Sequence, residues 1–259
     1  MNIKKHIPNL LTLGNLLCGT IATIAAVDSD YVTAAAFVVL GIVFDFFDGF
    51  AARLLNVSGE LGKQLDSLAD MVTSGVVPGI IMFKLLAVHV SFDPSVSVPF
   101  GTNLGGDAMI VIMGGMRYSL IQLLGLILTL SACYRLANFN IDTRQSDSFI
   151  GLPTPAMSLF VIALPLIQMY SGYEFCFNLI SNNYFLIGVT LVLSYLMNAE
   201  IPLFSLKFKS YGIKENALKY VFLVASLIMI LTLEVISIPL IIILYVLLSV
   251  GSNLSTKKV

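Results

Sequence analysis

Charged side chains are scarce in this sequence. Asp, Glu, Lys and Arg make up 11% of its 259 residues, and 58% of the residues are hydrophobic. A soluble domain carries about 25% charged residues. The scarcity excludes an ordinary water-soluble domain and predicts an all-α protein that crosses the membrane several times. The formal net charge is −1, which says little about partners, and we expect no nucleic-acid partner.

Cysteine is also rare. The three cysteines, Cys18, Cys133 and Cys176, lie far apart in or beside apolar segments. Their spacing fits neither a disulfide framework nor a zinc site, so we expect ordinary packing cysteines. The first hydrophobic stretch lacks a convincing small-residue cleavage site, and we expect no cleavable signal peptide.

Long hydrophobic runs, in contrast, fill most of the chain. Compared with the roughly 20 residues that cross the hydrocarbon, they predict eight transmembrane helices and an irregular loop near residues 89–107. The helices are predicted near residues 10–27, 31–55, 66–88, 108–137, 155–171, 183–199, 217–233 and 235–252. We expect a catalytic core over residues 1–200, followed by a cytoplasmic loop and a C-terminal helical pair over 201–259.

The basic residues favour one orientation of these helices. With the N-terminus in the cytoplasm, twelve lysines and arginines fall on or near the cytoplasmic side, and only Lys84 and Arg117 fall toward the outside. Short cytoplasmic loops of membrane proteins carry an excess of positive charge. The split predicts cytoplasmic N- and C-termini in a multi-pass protein of the cell (inner) membrane.

Four aspartates interrupt the hydrophobic pattern within 26 residues: Asp45, Asp48, Asp66 and Asp70. An ionised carboxylate near the bilayer centre costs roughly 2.5–3.5 kcal/mol. Four would cost about 10–14 kcal/mol, comparable to the net stability of a whole domain. Divalent cations would offset this cost, and hard ions such as Mg²⁺ prefer oxygen ligands. The aspartates therefore predict a metal site.

The spacing of the aspartates predicts a helical hairpin. Asp45 and Asp48 are three residues apart and share one helix face. Asp66 and Asp70 are four apart and share a face of the next helix, beyond a short polar turn at residues 56–62. The two carboxylate pairs would then project toward each other.

Small and basic residues follow the first pair. Gly49 and Ala52 continue its face and would let a bulky anionic group approach the backbone. Arg53 offers a fork of donors suited to phosphate. Carboxylates in a membrane also occur in ion pathways, so a metal-ion transporter is the alternative from another functional class. The outward halves of the helices lack the acidic or amide relays that a transporter needs.

The pattern Asp45-x2-Asp48-Gly49-x2-Ala52-Arg53-x8-Gly62-x3-Asp66-x3-Asp70 resembles the signature of the CDP-alcohol phosphotransferase family. These integral membrane enzymes displace CMP from a CDP-linked donor with an alcohol. The resemblance implies that the four aspartates ligate or surround two ions, Mg²⁺ or Mn²⁺, and that Asp70 is the catalytic base. It implies a CDP site formed by Asn9, Thr12, Asp45, Gly49, Ala52, Arg53, Gly62 and Asp66.

Residues 7–19, 66–78, 133–140 and 149–155 are similar to segments of phosphatidylserine synthases, one branch of that family. The similarity implies CDP-diacylglycerol as donor and L-serine as acceptor, with membrane lipids around the protein, and leaves a homodimer open. An arginine just inside the membrane suits a carboxylate. The implied serine site consists of Arg135, Asn138, Phe139 and Asn140.

Other acceptor alcohols remain open at this point: glycerol 3-phosphate, an inositol phosphate or choline. A phosphorylated acceptor would need a second basic cluster. Apart from Arg135 and Arg144, that face of the protein offers few cations, which disfavours a phosphorylated acceptor.

Overall fold

The computed structural model describes residues 6–57, 59–86, 110–113, 116–142, 149–204, 212 and 216–256. The loop predicted near residues 89–107 lies outside them. The described chain is mostly helical. Its helices are α1 (His6–Val27), α2 (Tyr31–Leu54), α3 (Glu60–Asp70), α4 (Val77–Leu85), α5 (Leu120–Leu124), α6 (Ile127–Ile141), α7 (Thr154–Tyr170), α8 (Glu174–Ile180), α9 (Asn183–Asn198), α10 (Ala217–Leu233) and α11 (Ser237–Thr256).

Two non-α segments connect consecutive helices. A π-helical segment, Met71–Val76, joins α3 to α4, and a 3₁₀ turn, Glu234–Ile236, joins α10 to α11. Glu234 has a φ of 46°, so the chain turns sharply there. The rings of Phe222 and Tyr245 lie 5.7 Å apart, whereas 23 residues of straight helix would separate them by about 35 Å. Helices α10 and α11 therefore form a hairpin.

Five helical stretches in the described part of the chain are long and apolar enough to cross a membrane: His6–Val27, Tyr31–Leu54, Glu60–Leu85, Leu120–Ile141 and Ala217–Asn253, the last of which contains the α10–α11 hairpin. A sixth is reached if α8 and α9, bent by 72° at a short break, count as one broken span. The prediction of a helical, multi-pass membrane protein is confirmed. The number of eight spans and the cytoplasmic position of both termini stay predictions.

The fourth predicted helix begins later than the sequence indicated. Its first part forms strand β1 (Ile110–Met113), paired antiparallel with β2 (Met116–Ser119), and helix begins only at Leu120. Three β-branched residues in a row favour a strand. The sequence Gly114-Gly115 between the strands is typical of a two-residue hairpin connection. A second short pair, β3 (Phe149–Ile150) with β4 (Pro202–Leu203), links the ends of distant helices.

Helix α1 has its large apolar residues on the outside. Leu10, Leu13 and Leu17 are exposed. The buried face consists of small and polar residues at helical spacing: Pro8, Thr12, Asn15, Cys18, Gly19, Ala22, Ala25 and Ala26. Small residues let helix backbones approach closely in a membrane, where lipid is as apolar as leucine. This face packs along α2 and also contacts α3 and the π-helical segment.

Helix α7 is the central helix of the bundle. Most of its residues are buried, and it contacts α2, α4, α11 and the π-helical segment. It has 17 residues, which is shorter than any of the membrane-crossing stretches given above. Since its surroundings are protein on most sides, the lipid thickness does not set its length. Its N-terminus, at Thr154, lies beside the aspartates described below.

We predict opposite effects for two glycine substitutions. Gly125 lies at the break between α5 and α6, and a Cβ there would lie 2.6 Å from the amide nitrogen of Phe83 and 2.8 Å from the carbonyl carbon of Met82. Backbone atoms of α4 cannot rotate away, so Gly125→Ala should lower the thermal unfolding midpoint. Gly188, inside α9, has no heavy atom within 4 Å of its Cβ position. Gly188→Ala should leave the midpoint unchanged or raise it, since alanine stabilises a helix interior by about 0.5–1 kcal/mol.

Thermal unfolding of both variants in the same detergent checks this pair. A Gly125→Ala protein as stable as the wild type would contradict the close approach of the two helices.

Candidate active site

Three carboxylates converge where α2 faces α3. Asp45, Asp48 and Asp66 each offer an oxygen, and these oxygens all lie within 4.8 Å of one another. Asp48 is buried, and the other two are half-buried. Helix α1 packs on both α2 and α3, which holds the two acid-bearing helices together. The predicted convergence of the aspartate pairs is therefore observed for three of the four acids.

The donor set of this cluster fits a divalent cation. Asp66 Oδ1 is buried and has no hydrogen-bond partner among the described residues. A buried carboxylate oxygen without a partner is costly, and a bound cation would provide the missing interaction. Three carboxylates are hard oxygen ligands of the kind that Mg²⁺ and Mn²⁺ prefer.

Asp70, the predicted base, lies outside this group of three. It ends α3, one turn beyond Asp66. Its Oδ1 accepts a hydrogen bond from the Asn15 side-chain amide at 3.0 Å. The predicted role of Asp70 as a metal ligand stays a prediction.

A cavity of about 470 Å³ opens on one side of the carboxylates. Asp48, Glu60 and Lys63 line it, together with six of the residues that the sequence assigned to the CDP site: Asn9, Thr12, Gly49, Ala52, Gly62 and Asp66. We call it the donor cavity. At Gly49, an added Cβ would meet only the Arg53 side chain, at 3.9 Å, so the backbone there is open to a ligand.

Two residues assigned to the CDP site lie elsewhere. Arg53 is exposed and does not line the donor cavity; its Nε donates to the carbonyl oxygen of Gly49 at 2.9 Å. Asp45 faces a different cavity. Thr12 lines the donor cavity, but its hydroxyl donates to Asp48 Oδ2 at 2.5 Å. This threonine therefore orients one of the clustered carboxylates.

A second cavity, of about 230 Å³, also borders the carboxylates. Asp45, Asp66 and Asp70 line it, and so do Arg135 and Phe139 of α6 and the buried Thr154 at the start of α7. We call it the acceptor cavity. Because Asp66 lines both cavities, the clustered carboxylates stand between them.

The buried Arg135 holds three backbone carbonyls. Its Nη1 donates to Ile150 O at 2.9 Å and to Met197 O, and its Nη2 donates to Gly151 O at 3.1 Å. Gly151 has a φ of 74°, and a Cβ there would lie 2.6 Å from Met197 O, so this position requires glycine. The arginine thus joins β3 to the end of α9.

A guanidinium carries five N–H groups, and the three contacts of Arg135 leave two. The Nε–H and one Nη2–H donate to none of the described residues. Arg135 also lines a neighbouring cavity of about 370 Å³, together with Asn138. That Arg135 binds serine stays a prediction, and these two N–H groups are the donors that could bind it.

The other predicted serine-site residues are dispersed. Asn138 lines only the neighbouring cavity, whereas Phe139 lines the acceptor cavity. Asn140 lines neither; its side-chain amide donates to Ser67 Oγ at 2.8 Å, and its backbone carbonyl accepts from Lys63 Nζ. Asn140 therefore connects α6 to α3.

Sequence reasoning missed Asn15 and Lys63. Asn15 is fully buried and contacts Asp70 directly. It follows Asn9 and Thr12 at three-residue steps, and this spacing on an apolar helix could have identified it. Lys63 lines the donor cavity, but nothing in the neighbouring sequence distinguishes it from a lysine that only faces solvent.

Comparisons with known proteins identify a family and several named relatives. A family model described as CDP-alcohol phosphatidyltransferase matches residues 5–250. A CDP-diacylglycerol–serine O-phosphatidyltransferase of Bacillus subtilis is 32% identical over 160 residues, covering 62% of this chain and 75% of the relative. A protein of the same name from Helicobacter pylori is 30% identical over 234 residues, covering 89% of this chain and 84% of the relative.

An archaeal relative carries a different lipid in its name. The archaetidylserine synthase of Methanothermobacter thermautotrophicus is 28% identical over 189 residues, covering 70% of this chain and 69% of the relative. The names of all three relatives contain serine.

We predict that the purified protein binds Mn²⁺ and that Asp66→Asn weakens this binding at least tenfold. The substitution roughly keeps the side-chain volume but removes the charge of the acid whose Oδ1 lacks a partner. Electron paramagnetic resonance of free Mn²⁺ during titration measures the binding without any substrate. Asp28→Asn, which changes an exposed acid at the far end of α1, is the control and should bind as the wild type does. Equal affinities for all three proteins would refute the metal site.

Proposed function

The chain belongs to the CDP-alcohol phosphatidyltransferase family, and we propose that it transfers the phosphatidyl group of CDP-diacylglycerol to L-serine. The products are phosphatidylserine and CMP. The observation that carries the proposal is the carboxylate cluster between two cavities, with Asp66 lining both. The serine phosphatidyltransferases among the relatives support serine as the acceptor.

In this proposal, the CDP group lies in the donor cavity. Gly49, Ala52 and Gly62 leave room for the nucleotide diphosphate to approach the backbone, and Lys63 adds a positive charge at the wall. Asp45, Asp48 and Asp66 would hold Mg²⁺ or Mn²⁺, in a centre of two ions to which Asp70 contributes. Bound there, the metal supplies Lewis-acid neutralisation of the pyrophosphate and of the CMP leaving group.

The reaction is a displacement at the phosphorus atom that bears the diacylglycerol oxygen. Asp70 accepts the proton of the serine hydroxyl. The serine oxygen forms a bond to this phosphorus as the bond from phosphorus to the CMP oxygen breaks, and CMP leaves with that bonding pair. Asp70 is suited to the role of base because it lines the acceptor cavity and, although it borders the proposed metal centre, lies outside the group of three converging carboxylates.

Serine would be oriented by groups of α6. The two remaining N–H donors of Arg135 fit its carboxylate, since a guanidinium binds carboxylates through paired donors. Phe139 closes one side of the acceptor cavity, and Asn138 would meet the amine from the neighbouring cavity. Asn140 would act indirectly, by holding α6 against α3.

The proposal includes a membrane location and an orientation for the protein. We propose the inner membrane with both termini in the cytoplasm, so that the start of α1 and the donor cavity beside it lie on the side of the membrane that contains soluble serine and metal ions. Residues 1–200 would form the catalytic core, with the α10–α11 hairpin outside it. A homodimer stays a prediction.

The proposed function predicts serine-dependent release of CMP. Purified protein in mixed micelles of CDP-diacylglycerol with Mn²⁺ should release CMP when L-serine is added. Glycerol 3-phosphate, inositol phosphate and choline should each give a much lower rate. Excess chelator should abolish the release. Chromatographic detection of CMP and of phosphatidylserine measures both products, and release driven by another alcohol in preference to serine would refute the assignment of the acceptor.

We predict reciprocal effects for two arginine substitutions. Arg135→Lys keeps the charge but loses the paired donors, and should raise the serine KM by about tenfold, the cost of one charge-assisted hydrogen bond. We propose that Arg53, whose side chain lies outside the donor cavity in this structure, turns toward the diphosphate when the donor binds, so that Arg53→Lys should instead raise the CDP-diacylglycerol KM.

Because Arg135 also holds backbone carbonyls, unfolding midpoints must accompany the kinetics. A lower midpoint with an unchanged serine KM would leave Arg135 a purely structural residue.

A further inference from the structure

Asn15 is an amide enclosed in the middle of an apolar helix. Its exposed fraction is 0%, and burying an amide costs free energy unless its donor and acceptor are both satisfied. In this protein both are. The side-chain nitrogen donates to Asp70 Oδ1 at 3.0 Å, and Oδ1 of Asn15 accepts from the Thr73 hydroxyl at 2.7 Å.

The two bonds determine which way the amide points. An ionised carboxylate only accepts hydrogen bonds, so Asp70 requires the NH₂ group of Asn15. The Thr73 hydroxyl then donates to the remaining oxygen. A flipped amide would place its oxygen against the Asp70 carboxylate, which is repulsive. The order Thr73, Asn15, Asp70 is therefore a directed chain of hydrogen bonds.

The packing around the amide fits this one arrangement. A Cβ at Gly41 of α2 would lie 2.8 Å from Asn15 Oδ1 and 2.8 Å from Thr73 Cγ2. Only a glycine therefore lets α2 close over the pair. Thr73 itself belongs to the π-helical segment that begins directly after Asp70, and such segments occur often at functional sites.

The hydrogen bonds from Thr73 through Asn15 to Asp70 leave one oxygen of Asp70 for chemistry. Oδ1 accepts from Asn15, whereas Oδ2 has no hydrogen-bond donor among the described residues. Asp70 lines the acceptor cavity, where the hydroxyl of the acceptor must lie. Held by one oxygen, the carboxylate has a fixed direction for the other, and such alignment lowers the barrier of a proton transfer.

We propose that Asn15, fixed by Thr73, is a positioning residue that orients the Asp70 carboxylate toward the acceptor hydroxyl. The inference rests on the proposed function, in which Asp70 is the base. It adds two polar residues that touch neither substrate.

Four variants test the inference. Asn15→Leu removes both hydrogen bonds and should lower kcat by about 10- to 100-fold, the cost of one hydrogen bond to a charged group. The donor KM should stay within about twofold, because the donor cavity is unchanged. Thr73→Val keeps the shape but frees the amide, and should lower kcat by about 3- to 10-fold. Thr73→Ser restores the hydroxyl and should return kcat close to the wild-type value.

Thr23→Val is the matched control. The Thr23 hydroxyl lies on the same helix as Asn15 but donates to Gly19 O of that helix at 2.8 Å, so this variant should keep the wild-type kcat. The double variant Asn15→Leu/Thr73→Val should be no slower than Asn15→Leu alone, because the threonine acts only through the asparagine.

Three outcomes would overturn the inference. The first is an unchanged kcat in Asn15→Leu, and the second is a lower kcat in this variant accompanied by a higher donor KM and a lower unfolding midpoint. The third is a Thr73→Ser variant as slow as Thr73→Val. If Asn15→Leu fails to fold, the Thr73 pair alone decides. All rates are measured with the alcohol that drives CMP release best in the wild type. A wild type that prefers another alcohol to serine refutes the proposed function without affecting the comparison of variants.

Discussion

Mutual repulsion of three carboxylates in an apolar bundle is the constraint on which the rest of the structure depends. Two like charges 4 Å apart repel by about 4 kcal/mol at an effective dielectric constant of 20, and Asp45, Asp48 and Asp66 form three such pairs at similar distances. The helices must hold these acids together before any cation binds. Close packing of α1 against both α2 and α3 does so, and the Thr12 hydroxyl fixes the most buried acid.

This requirement explains the unusual face of α1. Leucines outside and small residues inside are ordinary for a membrane helix, but the buried face of α1 also carries polar residues. The small residues allow a close approach of backbones, and the polar ones supply hydrogen bonds to Asp48 and Asp70. Gly41 completes the arrangement by letting α2 pass directly over Asn15. Stability and site geometry thus come from the same residues.

The sequence predicted those parts of the site that depend on helical period alone. Aspartates three or four residues apart share a face, so the meeting of Asp45, Asp48 and Asp66 could be predicted, whereas the CDP site was implied only by the resemblance to the family. Contacts between distant segments could not. Arg135 holds carbonyls of residues 150, 151 and 197, and this depends on how β3 lies beside the end of α9. The hairpin at residue 110 was missed because an apolar run of β-branched residues fits a helix or a strand equally well.

The position of Asp66 between the two cavities bears on stereochemistry. In the proposed reaction, CMP leaves into the donor cavity and serine approaches from the acceptor cavity, and Asp66 is the one residue of the described chain that lines both. With separate cavities for the leaving and the entering group, serine can enter in line with the departing CMP oxygen. In-line entry inverts the configuration at phosphorus in a single displacement. The fold therefore favours direct transfer to the alcohol, since a route through a covalent enzyme intermediate would need two displacements and would retain the configuration.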